Sequence, residues 1–255
     1  MSLDLATLEQ AVPLGIENVV AVSEIASTHD LALTLLEGAM EDETHLPTTL
    51  IVAESQRAGH GRSGRPWISP NGGLYLSVVR TGLEAHPLHT LPMVAAAAAH
   101  RVLTEAGVEA SIKWPNDLVA GGGKIGGLIF HARTGEAGGT VVSLGLNVEP
   151  VPGLAPGAAT CLAEAAGAGA APPSREALAV AFVRHLLAAP DAAEDAVAAW
   201  RRALLHREGD PVEVHLDDGS VVAGTYAGVT AEGHLRLLTG DGERVLSTGD
   251  VGLLP

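Results

Sequence analysis

The chain has 255 residues, with 15 Lys+Arg against 30 Asp+Glu and a formal charge of −15. That length allows one large domain or one domain with a small appendage, and an apolar content of 47% is that of a globular protein rather than a disordered one. So few cations exclude a non-specific nucleic-acid binder and, equally, a polybasic membrane-surface protein.

The first Lys or Arg is Arg57, so no basic segment opens the chain. The longest early apolar run, residues 19–22, is too short for a signal h-region or a membrane span. Residues 18–22 read as a short strand. Ser27 and Thr28 then offer N-caps to a helix over 31–40 with Leu31, Leu35 and Leu36 on one face. Residues 48–53 are a β-branched apolar strand. Residues 57–73 hold five glycines, two prolines and three arginines, a loop composition. Residues 74–79 return as a strand, with Leu74, Leu76 and Val78 on one side and Tyr75, Ser77 and Val79 on the other. An alanine-rich helix over 89–106 stops at Gly107. Three strand-like runs follow, 110–114, 125–130 and 140–148, broken by Pro115-Asn116-Asp117 and Gly121-Gly122-Gly123. Residues 149–173 read as a loose connection around a short helix. This stretch holds Cys161, the only cysteine, so no internal disulfide or cysteine-based zinc site can form, and a soluble protein of a reducing cytoplasm is expected. Helices over 174–189 and 191–205 are separated by Pro190. From Gly209 the pattern changes to short strands, 211–216, 221–226, 234–238 and 244–247, joined by Asp218-Gly219, Glu232-Gly233 and Asp241-Gly242 turns. Four or five strands of this kind predict a small β-barrel over 209–255, behind a larger part over 1–208.

Three stretches carry chemistry. The first is Gly59-His60-Gly61-Arg62-Ser63-Gly64-Arg65-Pro66-Trp67, directly after a strand. Its glycines let the backbone approach an anion, and its arginines offer forks for carboxylate or phosphate. It is neither a P-loop nor a dinucleotide fingerprint, because no Gly-Lys-Ser/Thr is present and no helix follows for a phosphate to cap. By itself such a loop also fits a solvated basic turn. The second is Lys113-Trp114-Pro115-Asn116-Asp117, with Lys124-Ile125-Gly126-Gly127 on the next strand. It can collect an anionic substrate and a metal ion, although Trp114 alone fits core packing and Asp117 a turn cap. Lys113 and Lys124 are the only lysines beside 13 arginines, which draws attention to sites that need a compact ammonium rather than a planar fork. The third, Ser143-Leu144-Gly145-Leu146-Asn147-Val148, is a strand with Gly and Asn near its end, and alone it fits a bulge or close packing.

In this order and spacing the segments resemble the biotin–protein ligases, with Ser27-Thr28 matching that family's Ser/Thr-Thr-Asn segment. The resemblance extends from about residue 18 to the terminal strands. It implies an α/β (α+β) catalytic domain with a mixed sheet, related to class II tRNA synthetases and lipoate ligases, plus a small SH3-like β-barrel. It implies ATP-dependent joining of biotin to a lysine of a biotin carboxyl carrier protein through biotinyl-5′-AMP, with Mg²⁺ arriving on ATP rather than in a protein cage. By motif position Lys124 and Arg62 are catalytic. The resemblance assigns Ser27, Thr28, His29 and Gln56 to biotin or biotinyl-5′-AMP, together with Gly59, His60, Gly61, Arg62, Arg65 and Trp67 from the loop and Lys124, Gly126, Gly145 and Asn147 from the strands. Lys113, Asn116 and Asp117 are assigned to ordering the nucleotide and its metal.

Two residues depart from the pattern: His60 stands where the family usually has Arg, and His29 where it usually has Asn. Only 26 residues precede Ser27, whereas the winged helix of bifunctional members needs ~60, so neither DNA binding nor a repressor function is expected, nor a membrane partner. A homodimer is left open. The rivals are a lipoate or octanoate ligase or transferase on the same fold, which a wide apolar pocket without ureido-reading groups would favour, and a non-enzymatic biotin sensor, which should carry a DNA-binding module.

Overall fold

The computed structural model describes residues 3–81, 88–134, 138–153, 157, 159–167, 172–188 and 193–253. The expected break at Pro190 and the helix ends beside it lie outside these residues. A short helix α1 (Leu5–Leu8) and a 3-10 turn (Glu9–Leu14), neither expected from the sequence, precede β1 (Asn18–Ile25). Then follow α2 (Thr28–Glu41), β2 (Thr49–Gln56), β3 (Leu74–Thr81), α3 (Leu91–Glu105), β4 (Ala110–Lys113), β5 (Asp117–Ala120), β6 (Gly123–Arg133) and β7 (Gly139–Leu146). These seven strands form one sheet in the order β1-β2-β3-β7-β6-β5-β4. β1 and β2 run parallel and every other neighbouring pair is antiparallel.

Both faces of this sheet are covered, which explains why its central strands are apolar on both sides. Leu50 and Val52 of β2, Leu76 and Val78 of β3 and Val142 and Leu144 of β7 enter the larger core with α3 and with α5 (Arg175–Leu186). Ile51, Val79 and Val141, at the alternate positions, meet Ala32 and Leu36 of α2 on the opposite face. Ser77 and Ser143 share that second face, directly opposite each other across β3 and β7. The Ser27 side chain caps α2 by accepting the Asp30 N–H, so the first turn of α2, with Thr28 and His29, lies over the two serines.

β5 is the one strand of this sheet that the sequence reading lacks. Pro115 and Asn116 on one side and Gly121 and Gly122 on the other read as breaks; instead they turn a four-residue strand back between β4 and β6. Both glycines have positive φ, 55° and 82°, the conformation such a turn requires.

After α4 (Leu162–Ala165), α5 and α6 (Ala193–Ala203), the strands β8 (Pro211–His215), β9 (Val221–Val229), β10 (Leu235–Thr239), β11 (Gly242–Leu246) and β12 (Asp250–Leu253) pair as an antiparallel sheet ordered β11-β10-β9-β8-β12. Gly219, Gly233 and Gly242 all have positive φ at the expected turns. No ladder joins β11 to β12 among the described residues. This sheet shares its apolar core with the larger one, and the buried Trp114 donates its Nε1–H to the Gly233 carbonyl at 2.9 Å.

Candidate active site

A cleft of about 790 Å³, open to solvent, lies where the first turn of α2, the ends of β2, β5, β6 and β7, the Gly/Arg loop and the start of β12 converge. Its floor is neutral. The Gln56 Oε1 accepts from the Thr28 backbone N–H at 2.8 Å and from Thr28 Oγ1 at 3.2 Å, while its Nε2 donates to Ser69 Oγ at 3.0 Å. Ser77 Oγ lies 3.0 Å from Thr28 Oγ1 and 2.7 Å from Ser143 Oγ, and His29 Nδ1 lies 2.8 Å from Ser143 Oγ. Burial, and then His60 nearby, push the His29 imidazole down to about 4, so it is neutral at physiological pH.

The loop is closed on itself by Gly61 N–H to Arg65 O at 2.6 Å and Trp67 N–H to Gly59 O at 2.8 Å. A Cβ at Gly59 would fall 2.4 Å from Ser69 Oγ and 2.9 Å from Gln56 Nε2, so only glycine lets the loop return past Gln56. Glycine at 145 has the same kind of reason: a Cβ there would lie 2.8 Å from Nε1 of Trp67, whose ring roofs β7. His60 Nε2 bonds Asp30 Oδ1 at 2.8 Å, and that bond holds its pKa above the ordinary value.

The rim is charged. Lys124 Nζ sits 2.7 Å from Asp117 Oδ1 and 5.2 Å from the centre of the Trp67 ring. Arg62 donates to Asn116 Oδ1 at 3.3 Å and to the Gly249 carbonyl at 3.5 Å; burial lowers its pKa, though a guanidinium stays charged. Asp250 accepts Lys113 Nζ at 2.7 Å on one oxygen and Arg65 Nη1 at 2.8 Å on the other. Burial works to raise the Asp250 carboxyl, but the bonds and charges of Lys113 and Arg65 outweigh it and hold it below the usual range. Ser63 and Thr248 both donate to Asp217, tying the loop to the C-terminal sheet.

Of the residues singled out in the sequence, Ser27, Thr28, His29, Gln56, His60 and Gly61 line the cleft, as do Arg62, Arg65, Trp67, Asn116, Asp117, Lys124 and Gly145. Four do not. Gly59 lines the outer side of the loop. Lys113 stands behind the rim, on Asp250. Gly126 is packing: a Cβ there would lie 2.9 Å from the Gly145 carbonyl. Asn147 is buried with its amide on the carbonyls of Lys124 and Thr160, where it fastens β6 and the segment before α4. Ser143 also lines the cleft without having been singled out as a site residue; its two-residue spacing to Gly145 puts both on one strand face. The sequence reading missed Gly249 and Asp250, which carry no local signal.

Among the described residues no group of three or more His, Cys, Asp or Glu could hold a metal, and no helix is long and apolar enough to cross a membrane.

Residues 23–149 match the model of the biotin/lipoate A/B protein ligase family. The chain is similar to a biotin–[acetyl-CoA-carboxylase] ligase of Mycobacterium tuberculosis, 30% identical over 248 residues, covering 90% of this chain and 86% of that one. It is also similar to the bifunctional ligase/repressor BirA of Bacillus subtilis, 34% identical over 128 residues. That match spans 47% of this chain and 39% of the relative. In fold it is similar to a biotin protein ligase from Aquifex aeolicus in complex with biotin and ATP, with a TM-score of 0.73 and 23% identity over 93% of this chain and 99% of that one.

Proposed function

The chain belongs to the biotin protein ligases of the biotin/lipoate A/B protein ligase family, and from that premise we propose that it joins biotin to a lysine of a biotin carboxyl carrier protein at the expense of ATP. The observation that carries this reading is the convergence of Lys124, Arg62 and Arg65 on one cleft, with Lys113 behind its rim, in a molecule whose formal charge is −15. Attack of a carboxylate on the α-phosphorus of ATP brings two anions together, so the site must supply cations and alignment.

In this proposal biotin enters with its ureido ring on the floor, against Thr28, Gln56 and Ser143, and its carboxylate toward Lys124. The Lys124 ammonium leaves Asp117 to bridge the biotin carboxylate and the α-phosphate, where a compact charge can follow the moving one. Arg62 and Arg65 hold phosphate and adenylate from the loop, and Asn116 sets the direction of the Arg62 fork. Trp67 covers the adenylate and keeps water from it. Lys113 and Asp250 stand at the nucleotide end. Mg²⁺ neutralises the polyphosphate when it is bound, which suits a cleft whose carboxylates are each paired with a lysine or arginine. The carrier lysine then attacks the mixed anhydride and AMP leaves. The division of the chain into 1–208 and 209–255 belongs to the same proposal, with the second part closing the nucleotide end through residues 249 and 250.

The test is incubation with biotin, ATP and Mg²⁺, with pyrophosphate and biotinyl-5′-AMP read by mass spectrometry, followed by addition of a biotin carboxyl carrier domain. Formation of the adenylate and a mass gain on the carrier are expected. Adenylation of lipoate or octanoate in preference to biotin would overturn the assignment.

A further inference from the structure

The hydrogen bonds on the floor of the cleft run one way. The Gln56 atom that accepts the Thr28 backbone N–H is thereby its amide oxygen, and the same atom meets Thr28 Oγ1. An amide oxygen has no proton to give, so Thr28 Oγ1 is the donor and its single proton is spent. Ser77 must then donate to Thr28, Ser143 to Ser77, and His29 Nδ1 to Ser143. Reversing any link would leave two donors or two acceptors facing each other in a buried place. A neutral imidazole carries one proton, and the chain assigns it to Nδ1.

We propose that His29 is a positioning residue for ligand choice: as terminal donor of this one-way chain it leaves Thr28 and Ser143 with lone pairs but no free proton, so that the floor selects ligands presenting N–H groups. The inference rests on the biotin-ligase reading and deepens it. A ureido ring brings two N–H donors to these hydroxyls, whereas a lipoyl or octanoyl chain brings none. Gln56 keeps a second Nε2 hydrogen beyond the one given to Ser69, which suits the ureido carbonyl. Without a donor at position 29, Ser143 still gives its proton to Ser77, but it loses the second bond that fixes its torsion, so its remaining lone pair is no longer aimed into the cleft and an N–H ligand loses its advantage. An asparagine side chain at this position would also carry a donor.

Two measurements test this. Nitrogen NMR of ¹⁵N-labelled protein near neutral pH, with the His29 signal assigned by its loss in His29→Asn, is expected to show a protonated Nδ1 and a bare Nε2. A protonated Nε2 overturns the chain whatever the protein binds. Calorimetry with biotin and with octanoate then reads selectivity. His29→Leu is expected to lower the preference for biotin about tenfold, the equivalent of one neutral hydrogen bond, and His29→Asn to restore it. An unchanged preference in His29→Leu, or no rescue by Asn, overturns the positioning role. If the parent protein binds no biotin, the ligase reading fails instead, and the tautomer result still stands or falls by itself.

Discussion

At the floor of the cleft Thr28, His29, Ser77 and Ser143 are buried and joined by uncharged hydrogen bonds, whereas Arg62, Arg65 and Lys124 at its rim, and Lys113 behind it, are partly exposed and each leans on a carboxylate or an amide. Breaking one floor bond leaves a buried polar group unpaired, at about 1–3 kcal/mol. An exposed ion pair is worth about 0–1 kcal/mol and can be traded for another anion at little cost. The floor is therefore suited to recognition, because it resists rearrangement. The rim is suited to a reaction in which charge arrives, moves and leaves.

The sharpest way to break the comparison is at Lys124. Lys124→Gln removes a charge without removing core volume, so the fold is expected to persist while adenylate formation falls by a factor on the order of 10²–10⁴. Lys124→Arg is expected to be poor as well, because a guanidinium fork cannot take the place of an ammonium between two anions. Pyrophosphate release near the parental rate by a folded variant would remove Lys124 from its role.

Acid should act on the floor before it acts on the rim. His29 is held at about 4 in the folded protein against about 6.5 in an unfolded chain. The unfolded state therefore binds the proton first: the contribution of a neutral His29 is complete above about pH 6.5 and is lost as pH falls toward 4, on the order of 3 kcal/mol in all. His206, also lowered by burial, adds in the same direction. His60 works oppositely, because its raised pKa stabilises below about pH 6.5 and fades as pH rises through the raised value. Denaturation midpoints at about pH 7 and about pH 5 should show the loss in the parent and a smaller one in His29→Asn; identical losses would contradict the assignment to His29.

Arg62 sharpens the rim's part. Arg62→Gly removes contacts to Asn116 and the Gly249 carbonyl and, in the proposed reaction, a charge that holds the adenylate. Losing a charge-assisted bond of roughly 1.5–3 kcal/mol should raise escape of the mixed anhydride by about ten- to a hundredfold. Labelling of bystander proteins in a mixture reads this escape; labelling at the parental level, with adenylate still formed, would assign retention to another residue.

The smallest expected effect is at Asp250, which engages Lys113 and Arg65 with its two oxygens. In the proposed reaction polyphosphate competes for those cations, so Asp250→Asn should tighten pyrophosphate binding by about two- to fivefold, the scale of solvent-reached pairs, with a steeper salt dependence. Weaker binding in the variant would make Asp250 a support for the two cations rather than their competitor.

What the sequence made legible followed local rules. The strands of the larger sheet, the cap at Ser27 and the Asp-Gly and Glu-Gly turns of the terminal strands each depend on residues a few positions apart. β5 escaped because four residues between a Pro-Asn turn and a Gly-Gly turn have no room for a period to declare itself. At the site, Lys124, Arg62 and Asp117 were visible as motif residues, but their pairing is tertiary. Asp250 stands 137 positions from Lys113 and 185 from Arg65, and nothing around it distinguishes it from the other acidic residues. Asn147 and Gly126 lie outside the cleft lining, since a motif position does not say whether a side chain faces the ligand or fastens the strands that do.

The three tryptophans of the chain are distributed in a way that makes the molecule its own optical instrument. Trp114 and Trp200 are sealed in the core, and Trp114 is bonded to a turn of the terminal sheet, so its emission follows the docking of that sheet. Trp67 alone is half-buried in the cleft, with an ammonium 5.2 Å from its ring. Any ligand that draws Lys124 away changes the field on that indole and displaces solvent from it. Occupancy can therefore be followed in real time by intrinsic fluorescence on the unlabelled protein, with Trp67→Phe as the silent control.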